Sequence, residues 1–202
     1  MRKPKLRELG EAIKAIVKGP YTDKFPFKPA NIAEEYKGFP EFQEDGCVRC
    51  GGCVQLCPVK TIEMRDDPKT GKRVMFRDYS NCIQCGQCAE YCYTGEGIVM
   101  TNEWDKTTLD TTTIFEEIED ELVFCESCGA IITSKRHLDH MIERMGELAF
   151  SNPTLVMHHH RQLGLADSDA GKNHEGLWRE DYMRCLCPNC RRNLVFKEQW
   201  GG

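Results

Sequence analysis

Eight of the thirteen cysteines in this 202-residue chain fall in two copies of one spacing, and no other feature limits the possible folds so tightly. Cys47, Cys50, Cys53 and Cys57-Pro58 recur as Cys82, Cys85, Cys88 and Cys92. In a C-x2-C-x2-C-x3-C run, three thiolates of a tight loop can hold three irons of one cubane while the fourth reaches a neighbouring cluster. The duplication therefore predicts a pseudo-twofold scaffold for two [4Fe-4S] clusters. One is expected to be held by Cys47, Cys50, Cys53 and Cys92, the other by Cys82, Cys85, Cys88 and Cys57. Two centres interleaved in this way must lie close, the arrangement that electron transfer requires.

The spacing also excludes alternatives. Thirteen is an odd number, and members of each cluster are separated by only two or three residues, which is metal-ligand rather than disulfide spacing. The basic start of the chain is followed by no apolar run of secretory length, so a reducing cytoplasm is expected. No stretch of 18 apolar residues occurs, and a net charge of −5 argues against nucleic acid as a partner. Hydrophobic residues make up 40% of the chain, a fraction inflated by cysteine, so bound metal must supply part of the folding energy.

Around the repeat the hydrophobic pattern predicts an α+β protein. Leu6, Leu9, Ile13, Ile16 and Val17 recur at helical spacing with Lys5, Arg7, Lys14 and Lys18 opposite, giving a basic amphipathic helix ended by Gly19-Pro20. Such a helix suits either a membrane surface or another protein. Prolines and Phe25, Phe27, Tyr36 and Phe39 follow, read as an extended docking arm. Short strands are expected at 61–64, 74–76 and 97–100, with a turn at 66–71. Val54, Ile62, Ile83 and Ile98 are expected to pack around the clusters. Residues 101–121 are rich in Thr, Asp and Glu; Ile114, Phe115, Ile118 and Leu122 suggest a short helix there. The expected division is an arm at 1–44, a two-cluster domain at 45–104, an acidic linker at 105–121 and a second metal module at 122–202.

That second module rests on Cys125-x2-Cys128 and Cys187-Pro188-x-Cys190, paired knuckles of a tetrahedral four-thiolate site as in zinc ribbons and rubredoxins. With every position filled by thiolate, zinc would be structural, whereas iron could carry one electron; zinc is the expected ion and iron the alternative. Both knuckles are read as lying beside apolar strands, Leu122 to Phe124 and Leu194 to Phe196. Cys185 is left over as an idle thiol. Ser134 is expected to cap a helix with the stripe Leu138, Met141, Ile142, Met145 and Leu148, followed by a polar stretch through residue 176. His137, His140, His158, His159 and His160 are read as surface histidines. No nucleophile and base pair, phosphate loop or catalytic carboxylate pair stands out, so no catalytic residue is assigned.

Tyr21 to Pro29, Tyr36 to Pro40 and the double motif, preceded by a basic helix and followed by four further cysteines, resemble the ferredoxin-like iron–sulfur subunits of complex I-related membrane-bound [NiFe] hydrogenases and formate hydrogenlyase. The resemblance covers most of the chain except an insert of about residues 150–182, and Tyr93 stands where the motif has proline. It implies a bacterial-ferredoxin-like fold and a subunit that relays electrons from a donor module, such as formate dehydrogenase or a ferredoxin, to a hydrogenase small subunit in a complex I-like assembly. It further implies a cytoplasmic, peripheral place on the membrane. A quinone-, polysulfide- or ferredoxin-linked complex of the same lineage, or a soluble carrier or redox sensor with a structural zinc unit, are the alternatives.

Overall fold

A computed structural model describes residues 6–19, 22–167 and 179–200. The chain divides into two compact units, residues 1–36 and 37–202.

In the first unit, helix α1 spans Leu6–Lys18 and carries the apolar stripe expected of it. Gly19 ends it in the left-handed region, φ 84°, with its N–H on the Ala15 carbonyl at 3.0 Å. The following segment is not extended throughout. It closes turns in which Lys28 N–H reaches the Lys24 carbonyl and Tyr36 N–H the Ala33 carbonyl. Pro20 and Tyr21 lie outside the described residues.

The second unit begins with β1 (Pro40–Phe42), then α2 (Gly52–Leu56), β2 (Ile62–Asp67), β3 (Lys72–Asp78), α3 (Gln87–Glu90) and β4 (Ile98–Met100). β5 (Phe115–Phe124), β6 (Ile131–Ser134), α4 (Lys135–Met145), α5 (Pro153–Gln162) and α6 (Pro188–Trp200) complete it. β1 pairs antiparallel with β4, and the other four strands form one antiparallel sheet in the order β2-β3-β5-β6. The turn between β2 and β3 forms where expected, with Gly71 at φ 70° and its N–H on the Asp67 carbonyl.

In the second unit, three expectations of secondary structure need correction. Residues 115–124 form a strand, not a helix. Ile114, Ile118 and Leu122 are four apart, and residues four apart share a face in a strand as well as in a helix. Pairing with β3 decides the matter: Ile118 and Leu122 turn inward, while Glu117, Glu119 and Glu121 face out. The second knuckle opens helix α6, so Leu194 to Phe196 are helical. Pro188 at the first helical position favours this, since its missing N–H would have no partner there anyway. Finally, the expected polar stretch contains α5 over 153–162, started by the Asn152 side chain accepting from Thr154 N–H at 3.0 Å and by Pro153. The part at 168–178 lies outside the described residues.

Phe42, Ile62, Met75, Ile98 and Ile118 bury together with Cys47 and Cys88, so the core of the repeat is built directly around its sulfurs. Val54 packs on this core; Ile83 is 60% exposed and stands outside it, at the wall of the cavity that Cys82, Cys85 and Cys88 line. A second core joins Cys125, Cys187, Cys190, Leu186 and Leu194; a third joins Leu138, Ala149 and Leu155.

Candidate metal centres

The two cysteine loops are local copies. Arg49 and Gln84, both at φ 53°, and Gly51 and Gly86, at φ 79° and 75°, occupy matching positions of the two runs. Left-handed residues at these points curl the backbone so that α2 and α3 each start directly on the loop. Gly97 is closely packed: a Cβ there would lie 3.1 Å from Cys47 Cα and 3.1 Å from Cys92 Sγ. The same distances put the last cysteine of the second run beside the first cysteine of the first. Conversely, Cys57 lines one cavity with Cys82, Cys85 and Cys88, closed by Pro40, Pro58, Val59, Ile62, Ile83 and Arg77.

Burial pushes the Cys53 thiol up to about 12, against the nearby Arg77 cation, and also raises Cys47, Cys82 and Cys88. Cys57 and Cys92 behave differently. Burial raises both, but hydroxyl and backbone donors outweigh it: Thr61 Oγ1 and N–H lie 3.3 and 3.4 Å from Cys57 Sγ, and Thr94 Oγ1 lies 3.5 Å from Cys92 Sγ. The last cysteine of each run thus has its thiolate favoured over that of an ordinary cysteine, and hydrogen bonds at sulfur are a principal means of adjusting a cluster's potential. A cavity with four thiols and apolar walls has the chemistry a cubane needs.

Three buried arginines surround the loops, and sequence reading missed all of them. Arg49 bonds the Glu44 carboxylate and the Glu44 and Cys47 carbonyls. Arg73 makes a two-pronged pair with Asp66 at 2.7 and 2.9 Å and bonds the Arg49 carbonyl. Arg77 gives Nη1 to the Pro40 carbonyl at 2.6 Å and to Glu116 Oε2 at 3.2 Å, with its guanidinium 4.0 Å from the Phe42 ring centroid. Its Nε and Nη2 are buried without a partner. The available signal was the alternation Arg73, Met75, Arg77 along β3, continued by Tyr79 just past its end.

In the second centre, Cys125 and Cys128 sit in the β5–β6 connection and Cys187 and Cys190 at the start of α6. Their four sulfurs lie within 4.8 Å of one another, with Cys128 and Cys187 at 3.7 Å. A tetrahedral ion with metal–sulfur bonds of about 2.3 Å needs sulfurs about 3.8 Å apart, so this group could hold one. Backbone N–H groups of Cys187, Cys128 and Ser127 outweigh burial and lower Cys125 to about 7; burial raises Cys190 to about 12. Glu126 ties the knuckles together, accepting from Arg184 Nε at 3.1 Å and Cys185 N–H at 3.2 Å, and pairs with Arg161 of α5. Cys185 is outside the group of four: it is 1% exposed, accepts from Arg161 Nη1 at 3.4 Å, and burial pushes it up to about 11.

The histidines are not all at the surface. His158 is buried and bonds Asp139 across the α4–α5 contact. His137 and His140 are half-buried, with ring centroids 5.8 and 5.3 Å from Tyr93 in edge-to-face contact. Tyr93, where the motif has proline, therefore docks α4 on the cluster repeat.

This arrangement defines a class: an iron–sulfur domain carrying a duplicated four-cysteine loop. Residues 46–96 match the 4Fe-4S dicluster domain family, so the repeat is a dicluster domain. The chain is 31% identical over 61 residues to formate hydrogenlyase subunit 6 of Escherichia coli, covering 30% of this chain and 34% of that protein. It is 27% identical over 96 residues to NAD(P)H-quinone oxidoreductase subunit I of Gloeobacter violaceus, covering 45% and 46%. The chloroplastic subunit I of Chloranthus spicatus is 31% identical over 96 residues, covering 45% and 53%. The chain thus spans between a third and about half of the curated relatives it matches. A subunit of the membrane-bound sulfane sulfur reductase, an archaeal respiratory membrane complex, aligns at TM-score 0.38 and 26% identity over 55% of this chain and 60% of that one. Among the described residues, no helix is long and apolar enough to cross a membrane.

Proposed function

We propose that this chain relays electrons through two [4Fe-4S] clusters inside a multisubunit, membrane-associated oxidoreductase, and itself performs no substrate chemistry. The observation that carries the reading is the interleaving of the two loops, with Cys57 in the cavity of the second and Cys92 beside Cys47 of the first. On this reading Cys47, Cys50, Cys53 and Cys92 hold one cluster and Cys57, Cys82, Cys85 and Cys88 the other. Residues 45–104 are the relay domain and residues 1–44 its docking arm. The junction 105–121 leads into the module of residues 122–202, where Cys125, Cys128, Cys187 and Cys190 hold one zinc ion, or iron in a redox-active version. Similarity to formate hydrogenlyase subunit 6 favours a hydrogenlyase-type complex; in it the acceptor would be a hydrogenase small subunit and the donor a formate dehydrogenase or ferredoxin, on the cytoplasmic face of the membrane. Similarity to the NAD(P)H-quinone oxidoreductase subunits favours a second reading, the same relay in a quinone-linked complex.

The test is a C-terminal affinity tag, anaerobic mild-detergent solubilisation, metal and sulfide analysis, and mass spectrometry of whatever copurifies. Hydrogenase or quinone-reductase subunits with about eight irons and eight labile sulfides per chain are expected. Recovery alone, from the soluble fraction, would refute the relay within a complex.

A further inference from the structure

The buried arginine on β3 has more donors than the protein uses. Arg77 is 0% exposed, yet only Nη1 is bonded, leaving Nε and Nη2 without partners. An unpaired buried donor is destabilising, the more so when charged, so such a group persists where something absent from the polypeptide accepts from it. Arg77 lines the cavity shared by Cys57, Cys82, Cys85 and Cys88. Its charge also reaches across the repeat, acting on the thiols of Cys53, Cys82 and Cys88. The carboxylate that fixes it, Glu116, is itself fixed by Phe42 N–H at 2.8 Å and Tyr79 OH at 2.8 Å. Stacking on Phe42 completes the clamp. Arg73 differs, because all three of its nitrogens are bonded, to Asp66 or to the Arg49 carbonyl; Arg49 leaves only Nε unbonded and does not line the cavity.

We propose that Arg77 directs its free Nε–H and Nη2–H groups at the sulfurs of the cluster held by the second loop and sets that cluster's reduction potential, with a smaller effect on the other. The inference rests on the dicluster reading. Reduction adds one electron and makes the cluster more negative, so a fixed cation with N–H donors at sulfur stabilises the reduced form and raises the potential. Glu116, bonded to Nη1, opposes it. The pair thus acts as an oriented dipole whose positive end faces the electron carrier, in a core where water cannot screen it.

The experiment is an EPR-monitored redox titration of the full chain as Glu116→Gln and as Arg77→Met in the Glu116→Gln background, the latter avoiding a stranded carboxylate. Glu116→Gln is expected to raise the potential of the second-loop cluster. The double variant is expected to fall below the wild type by at least tenfold in the reduction equilibrium, about 59 mV for one electron. Failure of either shift, with iron and sulfide content intact, overturns the proposal. If the double variant does not assemble clusters, pulsed EPR on wild-type protein carrying guanidinium-15N arginine decides: nitrogen coupling to the reduced second-loop cluster supports the contact, and its absence overturns it. Wild-type protein without labile sulfide would instead refute the dicluster reading.

Discussion

Asp120, and not Ser134 as the sequence pattern suggests, caps α4, and a paired substitution tests this. Ser134 precedes α4 and has the residue type of a helix cap, but its side chain makes no cap bond. It is fully buried and donates from Oγ to the Val48 carbonyl at 2.8 Å, inside the first cysteine loop. The cap comes from β5, where Asp120 Oδ2 accepts from Arg136 N–H at 2.9 Å. Ser134→Ala should therefore leave α4 intact and strip the Val48 carbonyl of its donor. An unsatisfied buried acceptor costs about 1–3 kcal/mol, equivalent to about 5- to 150-fold faster amide exchange wherever opening of that loop limits it. Asp120→Ala should do the reverse, fraying the first turn of α4 by about 0.5–2 kcal/mol, roughly 2- to 30-fold in exchange, with the loop unchanged. Hydrogen exchange read by mass spectrometry, comparing peptides over 47–53 and 135–140, measures both. Faster exchange at the start of α4 in Ser134→Ala, with the loop at wild-type rates, would refute the assignment.

Cys50→Ser should remove one cluster's worth of iron and sulfide while the second metal module is retained, and Cys128→Ser should do the opposite, loosening residues 122–202 without loss of sulfide; metal and sulfide analysis separates the two. Tyr93→Ala removes two ring contacts with α4 and the Arg144 guanidinium 5.8 Å from its centroid. It should weaken that docking by about 1–2 kcal/mol, seen as protease cleavage in α4 at lower protease concentration. The Cys125 pKa is depressed in the folded chain to about 7 from an ordinary 9.0. In the metal-free module its thiolate therefore contributes stability fully above pH 9, and the contribution is lost as pH falls through about 7. Metal binding needs thiolates as well, so a chelator should strip this site more readily at pH 6 than at pH 8; a pH-independent competition curve would contradict the four-thiolate reading.

What the sequence determined by itself was everything that depends on spacing. The two cysteine runs, their turn glycines, the amphipathic first helix, the hairpin turn before Gly71 and the group of Cys125, Cys128, Cys187 and Cys190 are local patterns, readable because ligand geometry and backbone curl act over a few residues. Tertiary structure decided what spacing leaves ambiguous. Phe115 to Phe124 fit either period, and only an open edge on β3 made them a strand. That strand then carries Glu116 to Arg77 and Asp120 to α4, so two residues that look like solvated linker acids became the anchor of a buried cation and a helix cap. His158 looks like its two neighbours in sequence, and burial against Asp139 distinguishes it. In each case the partner is distant in sequence, and a charge or hydroxyl takes its role from the group that packing brings to it.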